Sequence, residues 1–400
     1  MSIDKNSRVV GLLAACQAAL LTNNIIIVGL NGLVGYSLLG ADKSLATLPV
    51  TAYIIGSACT TVPASLLMKR VGRRNGFMTG AVIGIIGALV GASAVLLGNF
   101  WLLCLGTLLM GGYNAFGQYY RFAAAEVAGA AFRSRAMSLV LAGGIVGAII
   151  GPESSRWTKD LLSAPFAGTY LFLVGLAVVA LILQTFVIIP STRGPEGGEE
   201  ARSLSVIVRQ GHFVLAVTSS MFGYATMNLL MTAAPIAMVQ HHHMYSDAAF
   251  VIEWHALAMF APSFITGSLI KRFGNIPILR IGAALNIACI VAVLVGGLTV
   301  LSFWISLVLL GVGWNFLYIG GSTLLTETYR PSERAKAQAT HDQIVFLATA
   351  LSSLLSGWLL QKVGWPGMAL WSLPLPLAVL FTSKLVSQQR RSIANFSESR

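Results

Sequence analysis

The chain has 400 residues, of which 56% are hydrophobic and 10% are charged, and its formal net charge is +12. A soluble domain carries about 25% charged residues, so this composition excludes a protein whose surface faces mainly water and predicts lipid as the principal solvent. The basic residues lie mostly in short segments between apolar runs, which fits membrane topology and argues against nucleic acid as a partner.

The N-terminal segment is short and polar up to Arg8, and no small-residue cleavage site precedes the first apolar run. We therefore expect no cleaved signal and a first span that is retained as a helix. A helix needs roughly 20 apolar residues to cross a bilayer. The sequence predicts twelve such helices, at residues 9–35, 44–68, 76–97, 101–126, 137–155, 166–190, 210–239, 248–270, 276–297, 301–327, 340–361 and 366–386.

The distribution of Lys and Arg predicts how these spans are oriented. With both termini in the cytoplasm, the inner segments hold most of the basic residues, and the outer segments hold Lys43, Arg156, Lys159 and Lys362. This bias predicts a multi-pass protein of the bacterial inner membrane with both termini cytoplasmic.

The two halves of the sequence repeat each other. SLLMKRVGRR at 65–74 resembles GSLIKRFGN at 267–275, and residues 112–127 resemble residues 313–328. The polar positions that match in the second pair of segments are Asn114 with Asn315 and Glu126 with Glu327. A repeat of half the chain predicts two related bundles of six helices.

A segment rich in glycine and charge, residues 191–209, separates the halves. It predicts a cytoplasmic linker between an N-terminal six-helix bundle, 1–190, and a C-terminal six-helix bundle, 210–400. The basic loop KRVGRR resembles the loop signature of the major facilitator superfamily, whose plan is two parallel six-helix repeats. The fold class is therefore predicted to be all-α integral membrane, with the major facilitator fold of 12 transmembrane helices.

Methionine and histidine are concentrated in predicted spans seven and eight. Half of the 12 methionines and four of the six histidines lie within residues 221–259. Met227 and Met231 are four residues apart, as are His255 and Met259, so each pair lies on one face of its helix. Both pairs lie roughly 10–18 Å below the outer ends of their spans, near the midplane depth at which such transporters bind substrate.

Three thioethers and one imidazole form a neutral, soft set of ligands. Such a set suits Cu(I) better than Mg, Ca or Mn, and the lack of thiolate or carboxylate disfavours Zn and Fe. A histidine inside a membrane helix favours a functional role. The alternative is that the three methionines fill gaps in an apolar core.

The paired motifs MxxxM and HxxxM resemble those of the CcoA-type copper importers, which are major facilitator proteins. This resemblance implies import of copper from periplasm to cytoplasm by alternating access, for assembly of cbb3-type cytochrome c oxidase. It also implies that the metal ligands are Met227, Met231, His255 and Met259.

Further polar residues are secondary candidates. The loop between spans seven and eight predicts a site of metal capture, with an exposed polar loop as the alternative. Its residues are His241, His242, His243 and Met244. Charged residues in or near the spans are candidates for coupling or gating, namely Arg121, Glu126, Glu327 and Asp342.

The copper hypothesis has two competitors. A proton-coupled exporter of small organic molecules would depend on Arg121 or Glu126 rather than on the Met and His set. A membrane-embedded enzyme or a sensor is disfavoured, because the sequence has no catalytic constellation, no GxxxxGK[ST] loop for ATP and no soluble domain. We therefore expect no enzymatic activity and no resident cofactor. The expected partners are a copper ion or copper complex and the lipid bilayer, and the expected oligomeric state is a monomer.

Overall fold

The structure is a computed structural model, and it describes residues 2–128, 136, 139–140, 143–189 and 202–398. The described residues form helices and turns, with no strand among them. The helices are α1 (Ser2–Leu38), α2 (Leu48–Val71), α3 (Arg73–Leu96), α4 (Phe100–Gly117), α5 (Tyr120–Val127), α6 (Gly143–Thr158), α7 (Ala167–Thr185), α8 (Leu204–Val208), α9 (Gly211–Gln240), α10 (Tyr245–Phe260), α11 (Ser263–Phe273), α12 (Asn275–Gly296), α13 (Val300–Thr326), α14 (Arg334–Ser372) and α15 (Pro374–Glu398).

The candidate spans are consistent with twelve crossings. Within the described residues, nine helices are long and apolar enough to cross a membrane, and the number is ten if α10 and α11, which meet at a bend of 40°, are one span. The last candidate, Lys336–Gln388, has 53 residues, enough for two crossings. Its backbone leaves the helical region at Gly364, with φ 67° and ψ −180°, which separates predicted spans eleven and twelve. Predicted span five, 137–155, lies partly outside the described residues, and α6 is its continuous described part.

The chain divides into two compact units. The first comprises Met1–Gly194 with Thr232–Leu257, and the second comprises Pro195–Met231 with Ala258–Arg400. Both α9 and α10 therefore contribute residues to each unit.

Tyr245, at the start of α10, connects the segment Thr232–Leu257 to the rest of the first unit. Its hydroxyl donates to Ser155 Oγ at 3.0 Å. The Phe166 ring packs edge-on against it, with 5.5 Å between ring centroids. The Lys159 ammonium lies 4.7 Å from the centroid of the tyrosine ring. An aromatic ring with a polar tip can satisfy both kinds of contact at once, so this one residue joins α10 to α6 and to the turn before α7.

Part of the predicted linker is attached to the second unit. Arg202 Nη2 lies 2.7 Å from Glu333 Oε2, and its Nε donates to Glu333 Oε1 at 2.8 Å. The Lys336 ammonium donates to the carbonyl oxygen of Arg202. The guanidinium of Arg202 holds the pKa of the Glu333 carboxyl well below its usual range. Residues 190–201 lie outside the described residues, and the three-part division of the chain stays a prediction.

Glycine allows helices of the first unit to lie very close together. A side chain at Gly87 on α3 would lie 2.8 Å from the carbonyl oxygen of Gly106 on α4. A side chain at Gly56 on α2 would lie 2.0 Å from the carbonyl oxygen of Leu108 on α4. Close packing of this kind stabilises membrane helices because lipid supplies no hydrophobic driving force between them. It fixes α4 against both neighbours and so fixes the polar side chains that α4 carries.

Two spans are broken within their length. Gln118 and Tyr119 form a turn between α4 and α5 in predicted span four. Ala261 and Pro262 form a turn between α10 and α11 in predicted span eight, where proline removes a helical N–H donor and its ring crowds the preceding turn. Broken helices in transporters place backbone groups at the depth where substrates bind. These two breaks therefore indicate where candidate functional residues should lie in each unit.

Candidate functional site

A polar network connects α1, α2 and α4 in the first unit. Asn114 donates through Nδ2 to Ser57 Oγ at 3.0 Å. The Asn114 Oδ1 accepts from Asn24 Nδ2 at 2.8 Å and from Gln118 Nε2 at 3.2 Å. The hydroxyl of Tyr53 donates to Asn24 Oδ1. Buried polar groups that lack partners are costly, so this network fixes the side chains next to the break in span four.

Arg121 lies on α5, shortly after that break. Its guanidinium carbon is 4.8 Å from the centroid of the Phe122 ring. Its buried Nε–H has no hydrogen-bond partner among the residues that the structure describes. A charged donor of this kind within a membrane span favours a functional role. The predicted role of Arg121 in coupling or gating stays a prediction.

Asn315 supports the break in span eight of the second unit. Its Nδ2 donates to the carbonyl oxygen of Met259 at 2.6 Å and to Ser263 Oγ at 2.7 Å. Its Oδ1 accepts from Thr266 Oγ1 at 2.7 Å. The carbonyl of Met259 lies at the end of α10, where the regular helix stops and its backbone acceptors need other partners. The sequence repeat aligns Asn315 with Asn114. Each of the two side chains donates to a serine hydroxyl on another helix of its own unit, Asn114 to Ser57 and Asn315 to Ser263.

Four aromatic side chains meet next to Asn315. Trp314 and Tyr318, both on α13, stack with 5.1 Å between centroids and 19° between ring planes. Tyr224 on α9 packs edge-on against both rings, at 5.1 Å and 5.0 Å. Phe260, the last residue of α10, packs against Trp314 at 6.2 Å. We call these four residues the aromatic cluster.

The aromatic cluster contains an unused hydrogen-bond donor. Trp314 is 4% exposed, and its Nε1–H has no partner in the described part of the chain. A buried donor without an acceptor costs roughly 1–3 kcal/mol, and a ligand that supplies an acceptor would recover that cost. Tyr224 and Tyr318 are half-buried, so parts of their surfaces stay accessible. The cluster therefore suits a planar aromatic molecule with acceptor atoms on its edge.

The four predicted copper ligands are all buried. Met227, Met231 and Met259 are 4%, 3% and 8% exposed, and His255 is 0% exposed. Met227, Met231 and Met259 belong to the second unit, whereas His255 belongs to the first. Met227 and Met231 lie one and two turns after Tyr224 on α9, so their side chains follow the same helix face as the aromatic cluster.

The predicted capture loop forms the turn between α9 and α10. His241, His242 and Met244 are exposed, His243 is half-buried, and His242 has a left-handed backbone with φ 63°. No group of three or more His, Cys, Asp or Glu side chains among the described residues is arranged to hold a metal ion.

The other charged candidates lie near the ends of spans four, ten and eleven. Glu327 Oε1 accepts from Asn275 Nδ2 at 3.0 Å. Asp342 Oδ1 lies 2.9 Å from Nδ1 of its neighbour His341, whose side chain is buried. The side chain of Glu126 lies outside the described residues. The roles of these residues in coupling or gating stay predictions.

The long apolar helices, the breaks in two of them and the repeated halves define a multi-pass helical transporter. The chain belongs to the Major Facilitator Superfamily, whose family model matches residues 11–340 and 219–399. The solved structure of a D-xylose-proton symporter has the same fold, with a TM-score of 0.73 over 94% of this chain and 96% of that chain at 16% identity. The predicted fold class is thereby confirmed, and the protein is a transporter rather than an enzyme.

Individual relatives within the superfamily give a more specific comparison than the family model. The riboflavin transporter RfnT of Brucella anthropi is 40% identical over 372 residues, which cover 92% of this chain and 93% of the relative. The uncharacterised transporter YdeG of Bacillus subtilis, from the same superfamily, is 28% identical over 86% of this chain and 83% of its own length.

The prediction of a copper importer for cytochrome oxidase assembly is wrong. A full-length relative at 40% identity is a riboflavin transporter, and the alternative of small organic molecules as substrates fits that finding better. The physical reason for the error lies in the thioether group. A polarisable sulfur binds soft metals, but it also packs well against aromatic rings, so spacing and softness alone do not distinguish the two substrates.

The aromatic cluster was missed from the sequence. Its signal was the segment GWNFLYIGG, in which Trp314 and Tyr318 are four residues apart and share a helix face. Tyr224 and Phe260 join them from two other helices. A pattern within one helix cannot show that three helices bring their aromatic residues together.

Proposed function

We propose that the protein transports riboflavin or a closely related flavin across the membrane by alternating access. The aromatic cluster around Trp314 is the observation that carries this proposal, because it offers stacking surfaces and one unused N–H donor. A flavin has a planar ring system with carbonyl oxygens and ring nitrogens on its edge. These features match the cluster in shape and in hydrogen-bonding character. The similarity to a riboflavin transporter supports the same substrate class.

Met227 and Met231 take a different role in this proposal. They continue the face of α9 that begins with Tyr224, and both are buried. Their thioethers would form the apolar wall beside the aromatic cluster, since sulfur–aromatic contacts contribute about 0.3–1.5 kcal/mol each. In this proposal, the methionines of span seven contact an aromatic substrate rather than a metal ion.

A binding measurement tests the role of Trp314. Trp314→Phe keeps a ring but removes the N–H donor, so we expect the dissociation constant of riboflavin to rise about tenfold, which corresponds to roughly 1.4 kcal/mol. Binding is followed through quenching of riboflavin fluorescence by the purified protein.

A matched control is available in the same unit. Trp365 is 1% exposed, its Nε1–H also lacks a partner among the described residues, and its ring packs against Phe303 at 5.0 Å between centroids. Trp365→Phe removes the same group away from the aromatic cluster and should leave riboflavin affinity unchanged. Equal losses in both variants, or no loss with Trp314→Phe, would contradict the proposed role.

A further inference from the structure

The helix α14 carries small polar side chains on its buried side. Thr349, Ser352 and Ser356 are all buried, and their spacing places them on one face of the helix. The positions on the other side of the helix are apolar and exposed, namely Leu347, Leu351, Leu354, Leu355 and Trp358. A membrane helix with this distribution keeps its hydroxyl groups away from lipid, where they would be costly. We call Thr349, Ser352 and Ser356 the hydroxyl face of α14.

The hydroxyl face lies near the middle of predicted span eleven, 340–361. Thr349 and Ser352 lie roughly 14–18 Å from the start of that span, at 1.5 Å for each residue. The hydrocarbon core of a bilayer is about 30 Å thick. These hydroxyl groups therefore lie close to the midplane depth at which transporters of this class bind substrate.

Asn228 connects the hydroxyl face to α9, which also carries part of the aromatic cluster. Its Nδ2 donates to the carbonyl oxygen of Thr349 at 3.1 Å and to Ser352 Oγ at 3.4 Å. Tyr224 of the aromatic cluster precedes Asn228 by one helical turn, so both side chains lie on the same face of α9, about 6 Å apart along the axis. Tyr224 is half-buried, whereas Asn228 is buried. The hydroxyl face thus begins about one turn away from the aromatic cluster, within the second unit.

Two polar atoms of this region have hydrogen-bonding capacity that the protein does not use. Ser356 is 0% exposed, and its Oγ has no partner among the described residues. The hydrogen bonds that Asn228 forms within the described part of the chain use only its Nδ2, so its Oδ1 can accept from a ligand. A hydroxyl group donates and accepts at once. A ligand with several hydroxyl groups would therefore satisfy both atoms and recover the cost of leaving Ser356 without a partner.

The region has no charge of its own, because Asn228, Thr349, Ser352 and Ser356 are all neutral. A phosphate group brought to these residues would lose its hydration without gaining a cation as a partner, which is costly. A neutral hydroxyl group exchanges its bonds to water for bonds to the protein at little net cost. The side chains therefore favour a neutral chain of hydroxyl groups over a phosphorylated one.

We propose that Asn228, Ser352 and Ser356 bind the hydroxylated side chain of the substrate, beside the aromatic cluster that binds its ring. Because this role requires a flavin substrate, it rests on the function proposed above. It narrows the substrate class to neutral flavins that carry a chain of hydroxyl groups. Asn228 Oδ1 accepts from one hydroxyl group of the chain, and the hydroxyl of Ser356 bonds to another. These residues determine specificity, since they contact the part of riboflavin that other flavins lack or carry in phosphorylated form.

Three flavins with the same ring system test this assignment. Lumiflavin has a methyl group where riboflavin has its ribityl chain, and flavin mononucleotide has a phosphate at the end of that chain. We expect wild type to bind riboflavin about tenfold more tightly than either of the other two, because lumiflavin forms no hydrogen bonds through a chain and the phosphate finds no cation. Each dissociation constant is measured through quenching of flavin fluorescence by the purified full-length protein.

Variants separate recognition of the chain from support of the fold. Asn228→Ala and Ser356→Ala should each weaken riboflavin binding by about three- to tenfold and leave lumiflavin binding unchanged. Ser356 is the sharper test, because its hydroxyl forms no hydrogen bond within the described residues and a purely structural role predicts no loss. Asn286→Ala and Ser372→Ala are the matched controls. They remove an equally buried carboxamide from α12 and an equally buried hydroxyl from the far end of α14, and they should behave as wild type with all three flavins.

Several outcomes would overturn the proposal. Equal affinities of wild type for riboflavin and lumiflavin would exclude recognition of the chain and would leave flavin binding intact. Parallel losses for both flavins in Asn228→Ala and Ser356→Ala would show that the residues only support the fold. Tight binding of flavin mononucleotide would exclude selection for a neutral chain.

Failure of wild type to bind any of the three flavins has a different meaning, because it would contradict the proposed function itself. Melting temperatures of all variants verify that they are folded. If Asn228→Ala does not fold, the riboflavin and lumiflavin affinities of Ser356→Ala decide the assignment.

Discussion

At the scale of single residues, Asn114 and Asn315 occupy matching positions of the sequence repeat, and both form hydrogen bonds between helices. Each carboxamide binds groups next to the broken span of its unit, Gln118 in the first unit and the Met259 carbonyl in the second. A side-chain amide can donate and accept at the same time, which suits it to positions where a helix stops within a membrane. The repeat was visible in the sequence, but the groups that each asparagine binds were not.

Replacing Asn315 should therefore destabilise the protein. Asn315→Leu removes three hydrogen bonds in the second unit, and at about 0.6 kcal/mol for each bond in a membrane the loss is roughly 2 kcal/mol. We expect a lower melting temperature of the detergent-solubilised protein, measured by thermal unfolding.

Asn286 provides the control for this measurement. Its side chain is 0% exposed, and neither its Nδ2 nor its Oδ1 has a partner among the described residues. Asn286→Leu removes no hydrogen bond of the described chain and should lower the melting temperature less than Asn315→Leu. A reversed order would contradict the supporting role of Asn315.

At the scale of helices, the sequence predicted the existence of spans better than their irregularities. Apolar length is a local property, so the spans and the separation near Gly364 follow from the pattern of residues. Pro262 is a local signal for the break in span eight. The turn at Gln118 and Tyr119 has no proline or glycine within it, and it depends on packing that the sequence does not show.

The short helix α8 follows a residue that forms an ion pair with a side chain far away in the sequence. Arg202 precedes α8 and binds Glu333, which lies before α14. Because Arg202 lowers the pKa of Glu333, the stabilisation is fully present above the ordinary pKa of a glutamate and is lost as the pH falls towards the lowered value. We expect Glu333→Gln to lower the melting temperature at pH 7.

The effect of Glu333→Gln on the melting temperature should depend on pH. The difference in melting temperature between wild type and Glu333→Gln should be constant at pH 6–7 and should shrink progressively below about pH 5. Asp160→Asn is the control, because Asp160 is 74% exposed at 3.8 Å from Lys159, and exposed pairs contribute little. A difference that grows on acidification would exclude the Arg202–Glu333 pair as its cause.

At the scale of the whole molecule, the class of protein followed from the sequence and the substrate did not. Composition and the Lys and Arg distribution predicted a multi-pass membrane protein, because a bilayer imposes these patterns on any such chain. The major facilitator class followed from the repeated halves and from the resemblance of the loop KRVGRR to that superfamily's signature. In the function that we propose, the substrate contacts side chains from α9, α10 and α13 that meet only after folding. Met227 and Met231 are compatible with a soft metal and with an aromatic ring, so their spacing could not decide between them.

Transport by purified protein in proteoliposomes tests the central claim most directly. Radiolabelled riboflavin is added outside vesicles that contain unlabelled riboflavin, and parallel vesicles receive radioactive copper. The account predicts rapid exchange of riboflavin that is slowed by Trp314→Phe and unchanged by Trp365→Phe, with no protein-dependent accumulation of copper. Copper accumulation that depends on His255 and Met259, without riboflavin exchange, would contradict it.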